Sequence, residues 1–126
     1  MILCDTNIFI EIYKGNNDII SAFKKIGQHT VAISDVSCAE LLYGARNKKE
    51  LRTIRKDLDV LTVLPIQTAI STMAVLLVEK YSLSHKLSLP DALIAATALH
   101  YNIELYTLNL KDFKFIKGVQ FFDYQH

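Results

Sequence analysis

Four acids recur beside apolar segments of this chain: Asp5 after "MILC", Glu40 within "SCAELLYG", Asp91 at the start of "LPDALIAATA", and Asp112 in "LKDF". In an open α/β sheet, ligands bind beyond the carboxyl ends of the strands. Each acid occupies a place that can face that end. Asp5 ends the first expected strand, Glu40 falls in the first turn of the helix after the second, and Asp91 opens a later helix. Asn109 and Asp112 lie just past the fourth strand. Carboxylates gathered in one pocket repel one another and take up protons unless a cation neutralises them. Hard oxygen ligands, with no His or Cys among them, favour Mg²⁺ or Mn²⁺ over zinc. A carboxylate cage around one or two such ions suits the hydrolysis of a phosphodiester. Thr6, Asn7, Thr107 and Asn109 bring hydroxyl and amide groups that can hold the carboxylates or orient water.

Each acid also has a purely structural explanation. Asp5 fits a turn after a strand. Glu40 stands three residues after Ser37, the spacing of a capping box. Asp91 follows Ser88 and Pro90 at a helix start, where the helix dipole favours a negative charge. Asp112 fits a polar turn ahead of a core Phe113. The functional reading therefore rests on the joint pattern.

The elements that must position these residues alternate. "MILC" is a short apolar run of the kind found in buried parallel strands, and "TNIFIEIYK" carries Ile8, Phe9 and Ile12 at helical spacing before Gly15. "DIISAFKKIG" repeats the helical pattern, "TVAIS" reads as a second strand, and "SCAELLYG" as a helix opening at Ser37. "ARNKKELRTIRKDLDV" is a charged helix, "LTVLPI" a third strand, and "TAISTMAVLLVEKY" a long helix followed by a loop, "SLSHKL". After the Asp91 helix come a fourth strand, "IELYTLN", and a short fifth, "VQFFDY". This order calls for a three-layer α/β/α sandwich around a mostly parallel sheet of four to five strands.

The 126 residues suffice for one domain with its own core, residues 1–126 forming a single unit. A 51% share of hydrophobic residues leaves material for an oligomeric or partner surface. The net charge of +1 argues against binding nucleic acid by bulk charge, while a local basic stripe remains open to it. Cys4 and Cys38 are too few and too far apart for a disulfide framework and read as buried thiols in a reducing compartment. The start lacks the basic region of a signal peptide, and no apolar run reaches the roughly 18 residues of a membrane span. The expectation is a cytoplasmic protein without a membrane partner.

"LCDTN", "SDVSCAELLYG", "LPDALIAATA" and "YTLNLKDF" together resemble the four acidic blocks of the PIN domain, in the order and spacing of VapC-type toxins of bacterial toxin–antitoxin pairs. The resemblance runs from the first strand to the last. It implies a ribonuclease dependent on Mg²⁺ or Mn²⁺, a homodimer, and a cognate antitoxin protein that occupies the active-site groove. By position, Asp5, Glu40 and Asp91 match the three central acids. The fourth place falls to Asp112 with Asn109 in support, some members of the family carrying the acid where this chain has Asn109. The alternative is a PIN-like module that has lost catalysis and only holds RNA or a protein.

Further residues invite an RNA contact. Arg46, Lys48, Lys49 and Arg52, with Arg55 and Lys56, form a basic stripe assigned to one helix, which is either a solvated face or a phosphate track. Tyr13 and Tyr43 fit base stacking, an antitoxin contact or core packing with the hydroxyl at the rim. His85, placed in the loop before the Asp91 helix, and His100 read as surface residues. A phosphatase with an aspartyl nucleophile would need a second acid where Asn7 stands, and a receiver domain would need an Asp in the third strand.

Overall fold

A computed structural model describes residues 1–123. The chain runs β1 (Ile2–Cys4), α1 (Thr6–Tyr13), α2 (Asn17–Ile26), β2 (Val31–Ser34), α3 (Asp35–Tyr43), α4 (Lys48–Asp59), β3 (Thr62–Leu64), α5 (Thr68–His85), α6 (Leu89–Tyr101) and β4 (Glu104–Tyr106). The four strands form one sheet in the order β3-β2-β1-β4, every pair parallel. Leu3 registers with Ala32 on one side and Leu105 on the other.

Alternation along the strands divides the apolar residues between two faces. Leu3, Ala32, Leu64 and Leu105 pack with Ile70 and Ala74 of α5, Ile94 and Ala95 of α6, and Phe113. Ile2, Cys4, Val31, Ile33 and Tyr106 pack with Ile8 and Phe9 of α1, Ile19 of α2, Leu41 of α3 and Leu58 of α4. Both faces of the sheet are thus covered, which is why its strands read as continuous apolar runs. The expected three-layer α/β/α sandwich is the observed one.

Topology positions the site. From β1 the chain steps through β2 to β3 on one side, then returns by α5 and α6 to place β4 against the other side of β1. Strand order therefore reverses between β1 and β4, and a crevice opens at their carboxyl ends. Asp5 follows β1 and Thr107 follows β4.

Several boundaries differ from the sequence reading. The cap of α3 is Ser34, whose hydroxyl accepts from Val36 N–H at 3.1 Å, so the helix begins at Asp35 and Ser37 lies inside it. The stretch "SLSHKL" is largely helical, α5 continuing through His85 until Lys86 turns left-handed at φ 53°. α4 starts after Asn47, which accepts from Glu50 N–H at 2.9 Å, so Arg46 precedes the helix. The fifth strand reduces to one parallel bridge from Leu105 to Phe121, and Tyr124 of that segment lies outside the described residues. Among the described residues, no helix is long and apolar enough to cross a membrane.

Candidate active site

Asp5 is the most constrained acid of the crevice, with 6% of its surface exposed. As N-cap of α1 its Oδ1 accepts from Thr6 N–H at 2.8 Å, and its Oδ2 accepts from the Thr107 hydroxyl at 2.9 Å. The Asp5 N–H continues the ladder to the Tyr106 carbonyl at 2.9 Å. Backbone and side chain thus tie Asp5 to both strands that border the switch point. Thr107 is itself oriented by Asn109, whose N–H donates to the Thr107 hydroxyl at 3.1 Å.

Glu40 belongs to the second turn of α3, one turn later than its expected place, because the helix starts at Asp35. Although exposed, it is held. The Thr6 hydroxyl donates to Glu40 Oε1 at 2.8 Å and lies 2.8 Å from the hydroxyl of Ser37. One proton cannot serve both bonds, so the Ser37 hydroxyl supplies the second. Ser37 is fully buried and was not among the expected site residues. Its sequence signal, a Ser three residues before a Glu, looked like a helix cap.

Asp91 sits half-buried in the first turn of α6, its N–H 3.5 Å from the Ser88 hydroxyl. Burial raises its carboxyl to about 6, and the charges of Asp5, Asp112 and Glu40 push in the same direction. Asp5 is also raised, first by burial and further by Glu40 and Asp112, against the lowering effect of Thr107 and the Thr6 N–H. Charges from four separate elements thus meet at Asp5 and Asp91. Asp112 ends the 3-10 turn Leu110–Asp112, with its N–H on the Asn109 carbonyl at 3.0 Å. Asn7 accepts from Leu108 N–H at 3.4 Å, pinning the segment after β4.

Among the described residues, no three His, Cys, Asp or Glu side chains stand close enough to enclose one ion. Magnesium is commonly held by only one or two carboxylates, with water and substrate oxygens completing its shell. Oxygen donors whose charges push up the carboxyls of Asp5 and Asp91 fit such a partial site. The Cys4 thiol beside Asp5 is pushed up to about 12 by burial and then by the Asp5 charge, so it stays protonated. Both cysteines are buried free thiols, as expected.

A groove of about 750 Å³ adjoins Glu40, lined by Ile10 and Tyr13 of α1, Leu41 of α3, Ile54 of α4, and Arg46. The basic stripe beside it is partly neutralised. Arg46 grips Glu50 through Nη2 at 2.8 Å and Nε at 3.1 Å, and Arg55 pairs with Asp59 at 3.2 Å. Lys48, Lys49 and Arg52 are exposed, and none of them is in an ion pair among the described residues. Tyr13 donates to Asp57 at 2.6 Å, and Tyr43 is 93% exposed, which removes it from the core. His85 ends α5, and His100 is exposed on α6 with its ring against Tyr101.

The architecture and the crevice define an α/β/α domain with an acidic site at the switch point of a parallel sheet. The chain belongs to the PIN domain family, which it matches over residues 2–117. It is 32% identical over 127 residues to "Ribonuclease VapC1" of Rickettsia felis, the alignment spanning 94% of this chain and 92% of that protein. A toxin–antitoxin complex from Klebsiella pneumoniae contains a similar chain, with a TM-score of 0.80, 34% identity, and 94% of this chain and 95% of that one covered. VapBC2 from Rickettsia felis, bound to a DNA fragment from its promoter, also has a TM-score of 0.80, at 25% identity over 99% of this chain and 100% of that one.

Proposed function

We propose that this chain is a metal-dependent endoribonuclease, the toxin of a toxin–antitoxin pair, acting as one domain in the cytoplasm. The observation that carries the reading is Asp5, fastened by Thr6 N–H and Thr107 at the switch point and exposed to the charges of Glu40 and Asp112. Relatives named as a ribonuclease and as members of toxin–antitoxin complexes support it, and they do not favour an inactive binding module.

In this reading Asp5, Glu40, Asp91 and Asp112 hold Mg²⁺ or Mn²⁺, as one or two ions. A bound ion supplies the Lewis acid that activates a phosphodiester toward water. Thr107 and Thr6 N–H keep the Asp5 carboxylate in one orientation, and the Thr6 hydroxyl does the same for Glu40. Asn7 and Asn109 fix the segment that carries Asp112. Asp91, raised to about 6, retains a proton more readily than an ordinary carboxylate until a cation enters. Arg46, Lys48, Lys49 and Arg52 offer positive charge along one approach for the RNA phosphates. The apolar groove beside Glu40 suits the antitoxin, and the exposed Leu76 and Leu83 of α5 suit a homodimer contact.

Incubation of the purified chain with cellular RNA in Mg²⁺ or Mn²⁺ should release fragments, and EDTA or Asp5→Asn should stop it with the fold intact by circular dichroism. Cleavage that continues in EDTA would refute the metal dependence.

A further inference from the structure

We propose that the carboxyl end of α5 and the segment after Asp112 form a stacking platform for single-stranded RNA, on the β4 side of the crevice, away from the Arg46–Arg52 stripe. The inference rests on the ribonuclease reading and adds a second substrate contact to it.

The platform is a built group of rings. His85 lies parallel on Phe115, centroids 4.0 Å apart and planes at 9°, and Tyr81 meets Phe115 edge-on at 5.2 Å. The His85 Nδ1 lies 2.7 Å from the Ser84 hydroxyl, which further fixes the ring. Lys117 N–H donates to the Tyr81 hydroxyl at 3.4 Å, joining the post-Asp112 segment to α5. Phe115 covers one face of the imidazole and Tyr81 meets the ring edge-on at 6.0 Å, yet His85 is exposed, and the opposite face is the one we assign to a base. A flat ring held from behind, with its other face open, is what an unpaired base stacks on.

Charge surrounds the ring. Lys80, Lys86, Lys111, Lys114 and Lys117 are all exposed, and none of them is in an ion pair among the described residues. Lys80 Nζ stands 5.4 Å from the centre of the Tyr81 ring. Across 80–86 and 111–117 the only acid is Asp112 itself. The chain as a whole is near neutral at +1, so this is a local concentration of positive charge. It also lies beside the site: Phe115 is three peptide steps from Asp112, at most about 11 Å between Cα atoms. A strand whose phosphate sits in the crevice can therefore place a neighbouring base on His85 and its phosphates among the lysines. An acidic protein segment would use the lysines but has no need of a parallel-stacked ring with an open face.

The test uses the full chain carrying Asp5→Asn, which under the ribonuclease reading binds without cutting. A fluorescent single-stranded RNA of mixed sequence is titrated in Mg²⁺ at several salt concentrations. Adding His85→Ala should weaken binding about 5-fold or more, the usual loss for a stacking ring, and His85→Phe should restore it. Lys114→Gln with Lys117→Gln should lower the slope of log Kd against log salt by about 1 to 1.5, as for two lost phosphate contacts to a single strand. Unchanged affinity and slope in these variants, with RNA still cut by the unmodified chain, overturn the platform and leave the nuclease standing. Failure of the unmodified chain to bind or cut any RNA removes both. Loss of a protein partner at unchanged RNA affinity assigns the patch to protein and overturns the proposal.

Discussion

At the scale of residues, the crevice is governed by the burial of acids beside other acids and by the hydroxyls that hold them. Asp91 shows the first. Its folded pKa of about 6 exceeds its ordinary 3.8, so the folded state binds that proton more tightly than the unfolded chain. The stabilisation is complete below about pH 4 and is lost as pH rises through 6. In EDTA, Asp91→Asn should therefore gain melting temperature relative to the unmodified protein as pH moves from 4 to 7. A difference between the two proteins that stays flat across that range would count against the burial of this carboxyl and the approach of Asp5, Asp112 and Glu40 to it. Thr6 shows the second effect. Thr6→Ala frees Glu40 and strands the buried Ser37 hydroxyl, so it should cost roughly 1 to 3 kcal/mol and lower RNA cleavage on the order of 10- to 100-fold. Adding Ser37→Ala should recover part of the stability, since both partners are then gone, and none of the activity. Parallel melts and cleavage assays check the pair. Asp5, Glu40 and Asp91 were legible because each falls within a motif beside a strand or helix start. Ser37 was not, because a Ser three residues before a Glu reads the same whether it caps a helix or supports that Glu from inside one.

At the scale of elements, helix starts depend on which hydroxyl reaches a free N–H, and for α3 that hydroxyl belongs to Ser34, three residues before the expected Ser37. Ser34 makes the bond at 3.1 Å while fully buried, whereas Ser88, which caps α6, stands at 3.5 Å from Asp91 N–H. Ser34→Ala should therefore cost about 1 kcal/mol or more, and Ser88→Ala clearly less, both read by denaturant titration. Equal losses would show that the distances do not rank the caps. The strands were legible as apolar runs because the sheet is buried on both faces. Their ends and the reach of α5 were not, since "SLSH" is polar enough for a loop but also carries the helix that places Tyr81 and His85 against Phe115. Pairing to a distant segment settled what local composition left undecided.

At the scale of the whole molecule, the crevice exists because β4 enters the sheet on the far side of β1, bringing Thr107 onto Asp5 across 102 positions of chain. The alternation of strands and helices made the layers legible, but no local pattern states that return, because it depends on which distant strand pairs with β1. The same path leaves α5 on the outside, covering α6 with one face and showing solvent the other. Val75, Leu76 and Leu83 are exposed there, Leu83 by 98%. Large apolar side chains grouped on an outer helix face mark a contact surface more often than chance exposure, and a homodimer through α5 would cover them while leaving the crevice, at the carboxyl edge of the sheet, open. Sedimentation of the unmodified chain should then show a dimer, and Leu76→Lys with Leu83→Lys should give a monomer. Because neither side chain belongs to the core, the altered protein should keep its fold by circular dichroism. A chain that sediments as a monomer before any substitution, at concentrations well into the micromolar range, excludes this face as a self-association surface.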